Sequence, residues 1–207
     1  MNPPDREPNP QNLSQWRDFA IGFLRKQLGQ DAPLQLGDAT LLRDSPLEGE
    51  GPVCAFQFML KRVGAEPHRC FVVVGRTEPN YYPVFDLTPD EVFSLHFGTR
   101  FMLVMGVAAC DVASRSGYDA MADARRIVDR VAPKQPIDDL SVAAAFDVQG
   151  QIHVVLQCLL DGRRVYIMAG DAPQGFSQRT HLPPHVAYRL HLGEVLRREP
   201  APNDDVP

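Results

Sequence analysis

The sequence predicts an α+β fold built by tandem duplication of an α-β-β-β-α unit. The main observation is that residues 87–98 recur as residues 182–193, a constant offset of 95 residues. Leu, Pro, Leu-His and Gly stand at the same places in both segments, and the match continues upstream from residues 71–75 to 166–170. A fixed internal period determines the architecture of a chain. Two further observations agree with the duplication. Each half begins with an amphipathic helix, and three strand-like runs follow that helix in each half.

The opening helix of each half shows an apolar stripe. In the first half, apolar residues recur at helical spacing from Trp16 to Leu28, as expected for a helix with one buried face. Asn12 or Ser14 is placed to cap this helix, and Gly29 is placed to end it. The corresponding helix of the second half covers residues 119–131 and has a thinner stripe.

Three strand-like runs follow each opening helix. We expect strands at about residues 39–43, 53–62 and 69–75 in the first half, and at about 140–148, 151–160 and 163–169 in the second. Asp161-Gly162 is a strong hairpin signal and Gln149-Gly150 a weaker one. The middle strands are largely apolar on both faces, which predicts that both faces are covered. Helices would cover one face, and the other repeat or a second subunit would cover the other.

A loop of about a dozen residues, 75–87 or 170–182, leads to the closing helix of each half. In the first half, Thr88 and Glu91 form a predicted capping box. The helix that follows is apolar almost all round, so we expect it to be buried on all sides as far as about Gly106. The alternative breaks this helix at Gly98 and makes residues 101–107 a strand. The closing helix of the second half is one-sided, which predicts a more peripheral position.

The predicted organisation is therefore a first repeat at residues 11–110 and a second at residues 111–198. Two antiparallel sheets with apolar faces would be buried most economically in a pseudo-two-fold arrangement. Residues 1–10 and 199–207 are rich in Pro, Asn and Asp, and we expect them to be disordered tails.

Composition excludes several classes of function. A formal net charge of −5 argues against non-specific binding to nucleic acid or to anionic membranes. No signal peptide is visible and the longest apolar run is too short to span a bilayer. The four cysteines form no CxxC pair, so we expect reduced thiols in a cytoplasmic protein. No motif for a cofactor is present, and we expect none.

The most interesting candidate residues are His96 and His191, because they occupy equivalent positions in the two repeats. They are candidate ligand-binding residues, although the interpretation that we favour is that each only hydrogen-bonds a backbone carbonyl at the same place in its repeat. Tyr81, Tyr82 and Arg76 lie in the first long loop, and tyrosine and arginine are common interface anchors. These five residues are our predicted binding residues. His181 and His185 lie near His191, but Pro183 and Pro184 separate them, so we predict no metal site.

No catalytic motif is recognisable in the sequence. We therefore predict a non-catalytic protein that acts through protein–protein contacts, as an adaptor, a chaperone-like partner or an assembly subunit, with self-association as one possibility. The alternative is a small-ligand binder or an enzyme with a site between the repeats near His96 and His191. Double-stranded-RNA-binding domains have the same element order, but the basic cluster that they need at the start of the last helix is absent here.

Overall fold

The computed structural model describes residues 7–30, 33–60, 66–77, 79–83, 86–111 and 117–198. The described residues form a mixed α+β structure with two antiparallel sheets and four helices. In chain order, the elements are α1 (Leu13–Leu28), β1 (Leu34–Leu42), β2 (Val53–Leu60), β3 (His68–Val74), β4 (Asn80–Tyr82), α2 (Pro89–Val104), β5 (Ala108–Ala109), α3 (Ala120–Val131), β6 (Ile137–Val148), β7 (Gln151–Leu160), β8 (Arg163–Gly170), β9 (Gly175–Ser177) and α4 (Pro184–Arg198). No helix in these ranges is both long and apolar enough to cross a membrane.

The chain divides into two compact units. The first unit contains residues 1–96 and 196–207, and the second contains residues 97–195. The four-stranded sheet has the order β1-β2-β3-β4, and the five-stranded sheet has the order β5-β6-β7-β8-β9. Neighbouring strands are antiparallel throughout both sheets. This order follows the chain, as expected when short connections join consecutive strands.

Helix α1 packs its apolar stripe against one face of the four-stranded sheet. The residues of this core are Trp16, Phe19, Ala20, Leu24, Cys54, Phe56, Phe58, Cys70, Val72 and Val74. On the other face of β2 and β3, Val53, Ala55, Phe71 and Val73 are also buried. The expectation that both strand faces are covered is therefore confirmed in the first unit. Because this second face of β2 and β3 is buried within the chain, it is not available to a partner.

Helix α3 has the corresponding role in the second unit. Asp119 caps it, because its side chain accepts a hydrogen bond of 3.0 Å from the Ala122 amide. Ala124, Ile127 and Val128 pack with buried residues of β6, β7 and β8. Both expected hairpins are present, and the four turn residues Gln149, Gly150, Asp161 and Gly162 all have positive φ, as a tight two-residue turn requires.

The start of the chain differs from the predicted tail. Asn12 stands at the N-cap of α1, but its side chain forms no capping bond with the helix. It instead accepts from the Asn9 amide at 2.7 Å and donates to the Glu7 carbonyl at 2.6 Å, which holds residues 7–9 against the turn at residues 10–12. Pro8, in the segment held in this way, is buried. Residues 1–6 and 199–207 of the predicted tails lie outside the described residues.

The two predicted loops each contain a short strand, so the prediction of a loop is wrong at these points. Strand β4 pairs with β3 through Phe71↔Tyr82, and β9 pairs with β8 through Tyr166↔Ser177. The physical reason is that β3 and β8 would otherwise expose their unpaired backbone groups at the sheet edge. Aromatic residues, here at Tyr81, Tyr82 and Phe176, also favour extended backbone.

Helix α2 is continuous across Gly98 to Val104, so the alternative strand at residues 101–107 is wrong. The expected capping box is present: the Thr88 amide donates to Glu91 Oε2 at 2.8 Å, and the Glu91 amide donates to Thr88 Oγ1 at 3.3 Å. Burial on all sides is wrong at the C-terminal end, where Leu103 is 62% and Val104 75% exposed. Only the first three turns of the helix are enclosed on most sides.

Helix α4 is less peripheral than its sequence suggested. Ala187, Tyr188, Leu190 and Leu192 are all buried, and Tyr188 is among the largest fully buried side chains. The helix also approaches α2 closely, because a Cβ atom added to Gly98 would overlap the Arg189 carbonyl oxygen. The glycine is therefore required by a neighbouring backbone.

Candidate functional site

A buried polar group in the first unit contains two of the predicted residues, His96 and Tyr82. It also contains Glu50 from the β1–β2 connection, Thr77 after β3 and Asn80 on β4, and we call these five residues the Glu50 cluster. His96 Nε2 lies 3.2 Å from Glu50 Oε1 and His96 Nδ1 lies 3.3 Å from the Tyr82 hydroxyl. Thr77 Oγ1 donates to Glu50 Oε1 at 2.7 Å, and Asn80 Nδ2 lies 3.5 Å from His96 Nδ1.

These distances allow one consistent set of hydrogen bonds. His96 donates its Nε2 proton to the carboxylate of Glu50, and its Nδ1 accepts from the hydroxyl of Tyr82. His96 is 1% and Glu50 4% exposed. Because a buried carboxylate is costly unless it is hydrogen-bonded and paired, the cluster stabilises the fold around it. A substrate cannot reach these atoms in this conformation.

The other two predicted residues of the first unit have less interior positions. Tyr81 is half-buried and packs against the α1 core on the opposite face of β4 from Tyr82. Arg76 is exposed, and its Nε lies 3.0 Å from Glu7 Oε1. An ion pair this exposed contributes about 1 kcal/mol or less. Tyr82 is buried, so the prediction that it lies in a surface loop is wrong.

His191 belongs to the second unit and has a different partner. It is half-buried, and its Nε2 lies 2.9 Å from the Pro173 carbonyl oxygen, to which it donates. Its ring lies against Gly175, where an added Cβ atom would overlap the ring. A backbone carbonyl is the partner that the structural explanation of the two histidines expects, and His191 matches it. His96, with a carboxylate as partner, does not.

A second buried histidine, His153 on β7, was not among the predicted residues. Its Nδ1 forms a short hydrogen bond with the Tyr188 hydroxyl, and Phe146 stacks on the Tyr188 ring at a centroid distance of 4.7 Å. Burial lowers the pKa of His153 below 6.5, and Asp171 partly offsets this. Its Nε2 is buried without a hydrogen-bond partner in the described part of the chain. The repeat gives no signal here, because the position that corresponds to His153 on the middle strand holds Val53 and the one that corresponds to Tyr188 holds Phe93.

Three of the four cysteines are not set up for chemistry. All four are free thiols, and three of them are buried. Burial raises the pKa of the Cys54 thiol to about 12 and those of Cys70 and Cys158 to about 11. These three therefore stay protonated at neutral pH, whereas a nucleophile or a metal ligand has to be a thiolate. Within the described ranges, no three His, Cys, Asp or Glu side chains come together as a metal ion would require.

An open groove of about 580 Å³ lies in the second unit, between the C-terminal end of α3 and strands β8 and β9. Val128, Val165 and Phe176 line its apolar part. Val131, at the end of α3, is 71% exposed beside it. Arg163 and Arg164, both exposed, form part of its rim. An apolar floor within a polar rim is the usual composition of a contact surface.

Comparison with known proteins gives no match: no family model, no curated protein and no solved structure is similar to the chain. Function therefore has to be argued from the groove and the two buried histidine clusters. Of these three features, the groove is the one that is open to a molecule from outside.

Proposed function

We propose that this protein is non-catalytic and acts through protein–protein contacts, as an adaptor, a chaperone-like protein or an assembly subunit, with the α3–β9 groove of the second unit as its contact surface. The single observation that carries the proposal is the groove itself, with Val131 71% exposed at its edge. An apolar groove with a polar rim is typical of an interaction site.

The buried histidine clusters support the same choice. A general acid or base must reach the proton that it transfers, either directly or through one water. His96 and His153 are 1% and 5% exposed, and each forms hydrogen bonds within its own unit. Buried histidines with such hydrogen bonds are suited to holding the helices and strands of a unit together. The groove is half open, whereas a small-molecule site buries most of its ligand.

The test is selection from a phage-displayed random peptide library on the intact protein, followed by competition with variants. Val131→Trp fills the groove from an exposed position, so we expect the selected clones to lose at least about tenfold in binding. Met121→Trp is the matched control, because Met121 is on the same helix, is 47% exposed and does not line the groove. Clones that bind Val131→Trp as well as the wild type, or a library that yields no clones, would contradict the proposal.

The partner can be another protein or a second copy of this chain. Light scattering across a concentration series separates these cases, because a self-associating chain gains mass as concentration rises. If self-association uses the groove, Val131→Trp abolishes it and Met121→Trp does not.

The proposal includes the tandem duplication with its pseudo-two-fold arrangement. Its support is the strand register: β3 pairs with β4 through Phe71↔Tyr82, Val72↔Tyr81 and Val73↔Asn80, and each of these six residues has its counterpart 95 positions later in the pairing of β8 with β9. Helices α2 and α4 begin at Pro89 and Pro184, the same offset. Shared register is hard to obtain by chance, because a slip by one residue exchanges the faces of a strand.

A cytoplasmic location is also part of the proposal. Its support is the state of the four cysteines, which are all free thiols. Oxidising compartments favour disulfides, whereas the cytosol keeps thiols reduced.

A further inference from the structure

Strand β9 (Gly175–Ser177) forms one edge of the five-stranded sheet. Its three residues are only half-buried. Apart from the ladder with β8, their backbone N–H and C=O groups make no hydrogen bond within the described part of the chain. An edge of this kind can pair with an added strand.

A hollow lies on each side of this edge. The 580 Å³ groove is on the side of α3, and a second hollow of about 340 Å³ is on the side of α4. Phe176 and Gln178 line both of them, so the β9 segment separates the two. Successive side chains of a strand point to opposite faces. A strand added to β9 would therefore place every second side chain over the apolar groove and the others over the second hollow.

The charge of the rim indicates the kind of strand. Arg163 and Arg164 are exposed, and neither forms an ion pair with a described residue. Among the described residues that line the groove, Asp161 is the one acidic side chain, beside these two arginines. The whole chain has a net charge of −5, so this rim is locally basic on an acidic protein. Arginine side chains pair well with carboxylates through two parallel hydrogen bonds.

We propose that the groove binds an extended peptide segment by strand addition to β9, with apolar side chains at alternate positions and acidic side chains at the end that reaches Arg163 and Arg164. This inference rests on the proposed function, because it names the partner of the same groove. In strand addition, backbone hydrogen bonds supply affinity and the hollows for alternate side chains supply specificity.

The probe is a fluorescein-labelled synthetic peptide that alternates valine and threonine and carries two glutamates at one end. It is made in two versions, with the glutamates at the N-terminus or at the C-terminus, since either strand direction can place them at the arginines. Binding to the full chain is measured by fluorescence anisotropy. We expect one version to bind, and to bind at least about tenfold more tightly than the same peptide with lysines in place of the glutamates.

Backbone methylation tests the strand geometry. Alternate N–H groups of an added strand face the edge and the others face away. Two peptides are methylated at nitrogen, one on each alternate set. Strand addition predicts that one set abolishes binding and the other leaves it nearly unchanged. Equal effects of the two sets would show that the peptide fills the groove without pairing to β9, and would overturn the proposed mode.

Charge reversal in the protein has a matched control. Arg164→Glu should weaken binding of the glutamate peptide by at least about tenfold and strengthen that of the lysine peptide. Arg69 stands 95 positions earlier and has the same strand register, since Arg69 pairs with Met59 as Arg164 pairs with Leu159. It is also exposed, so Arg69→Glu changes the net charge equally and should leave the Kd within about twofold.

The outcomes separate this inference from the proposed function. If library clones bind at the groove but glutamate and lysine peptides bind equally, the acidic strand is wrong and the contact surface stands. If neither charged peptide binds and the library also yields no clones, both are overturned. Circular dichroism of each variant shows that a lost interaction is not caused by unfolding.

Discussion

His96 and His191 occupy the same position of the repeated segment, yet they have different partners. His96 is 1% exposed and meets the side chains of Glu50 and Tyr82. His191 is half-buried and donates to a backbone carbonyl, that of Pro173. Each ring also contacts the first residue of a short strand, Asn80 in one case and Gly175 in the other. The helix–strand contact is therefore common to both halves, while the polar chemistry around it is not.

This difference shows how a repeated residue acquires a separate role. The neighbours that differ lie outside the matching segments: Glu50 comes from a connection that precedes them. A buried carboxylate and a buried imidazole stabilise the fold best as a pair, because removal of either one leaves the other buried without its strongest partner. A histidine that donates to one carbonyl carries no such constraint.

The largest expected effect comes from replacing the two histidines in parallel. His96→Leu leaves the carboxylate of Glu50 buried without its imidazole, so the free energy of unfolding should fall by about 3–5 kcal/mol. His191→Leu removes one hydrogen bond to a carbonyl and should cost about 0.5–1.5 kcal/mol. Urea unfolding of the two variants measures both values. Equal losses of unfolding free energy in the two variants would contradict the view that His96 and His191 contribute differently to stability.

A double-mutant cycle sharpens the result at His96. We expect Glu50→Gln and His96→Leu together to be less damaging than the sum of the single changes, with a coupling energy of about 0.5–3 kcal/mol. The reason is that each single change leaves one member of the pair buried without the other, whereas the double change removes both the imidazole and the ionised carboxylate. Additive single effects, measured by the same urea melts, would show that the 3.2 Å contact contributes no coupling.

Sequence reasoning succeeded where the signal is local. The capping box at Thr88, the hairpin at Asp161-Gly162 and the stripe of α1 each depend on residues a few positions apart, and all three are present. Helix α2 also continues through Gly98, because an apolar sequence of that length outweighs the cost of about 1 kcal/mol for one glycine.

It failed where the structure depends on distant partners. Strands β4 and β9 are three residues long and form only because β3 and β8 offer an edge. Glu50 lies in a segment with another glutamate, Glu48, and nothing in the sequence distinguishes the one that is buried. The groove depends on side chains from α3, β8 and β9 together. Among the predicted binding residues, His96 and Tyr82 do meet, but no pattern in the sequence indicated that Glu50 joins them.

A smaller effect is expected at the strand residue that each histidine contacts. Gly175→Ala places a methyl group on the His191 ring and should displace it from the Pro173 carbonyl, at a cost of about 1–3 kcal/mol. The matched change Asn80→Ala removes atoms from the corresponding position and adds none, so we expect a smaller loss. Thermal unfolding compares the two variants. If Gly175→Ala has no effect, the His191 ring moves freely, and its contact with β9 does not contribute to stability.

The smallest expected effect is a dependence on pH that comes from a third histidine. Burial lowers the pKa of His153 below its ordinary value of 6.5, so the folded chain holds this residue neutral while the unfolded chain binds a proton more readily. The sign follows from linkage: the stabilisation is fully present above pH 6.5 and is lost as the pH falls below 6.5 toward the folded pKa.

One histidine contributes a slope of at most about 1.4 kcal/mol per pH unit to this loss. Urea unfolding between pH 7 and pH 5 measures the slope, and His153→Gln should remove the part that His153 contributes. The control is His185→Gln, because burial and Arg189 lower the pKa of His185 as well, and His185 is exposed on α4. Since His153 is 5% exposed, we expect it to account for the larger share of the slope. A wild-type stability that is constant or rises from pH 7 to pH 5 would mean that the folded chain accommodates the charged imidazole, and that the Nε2 atom of His153 finds a partner on protonation.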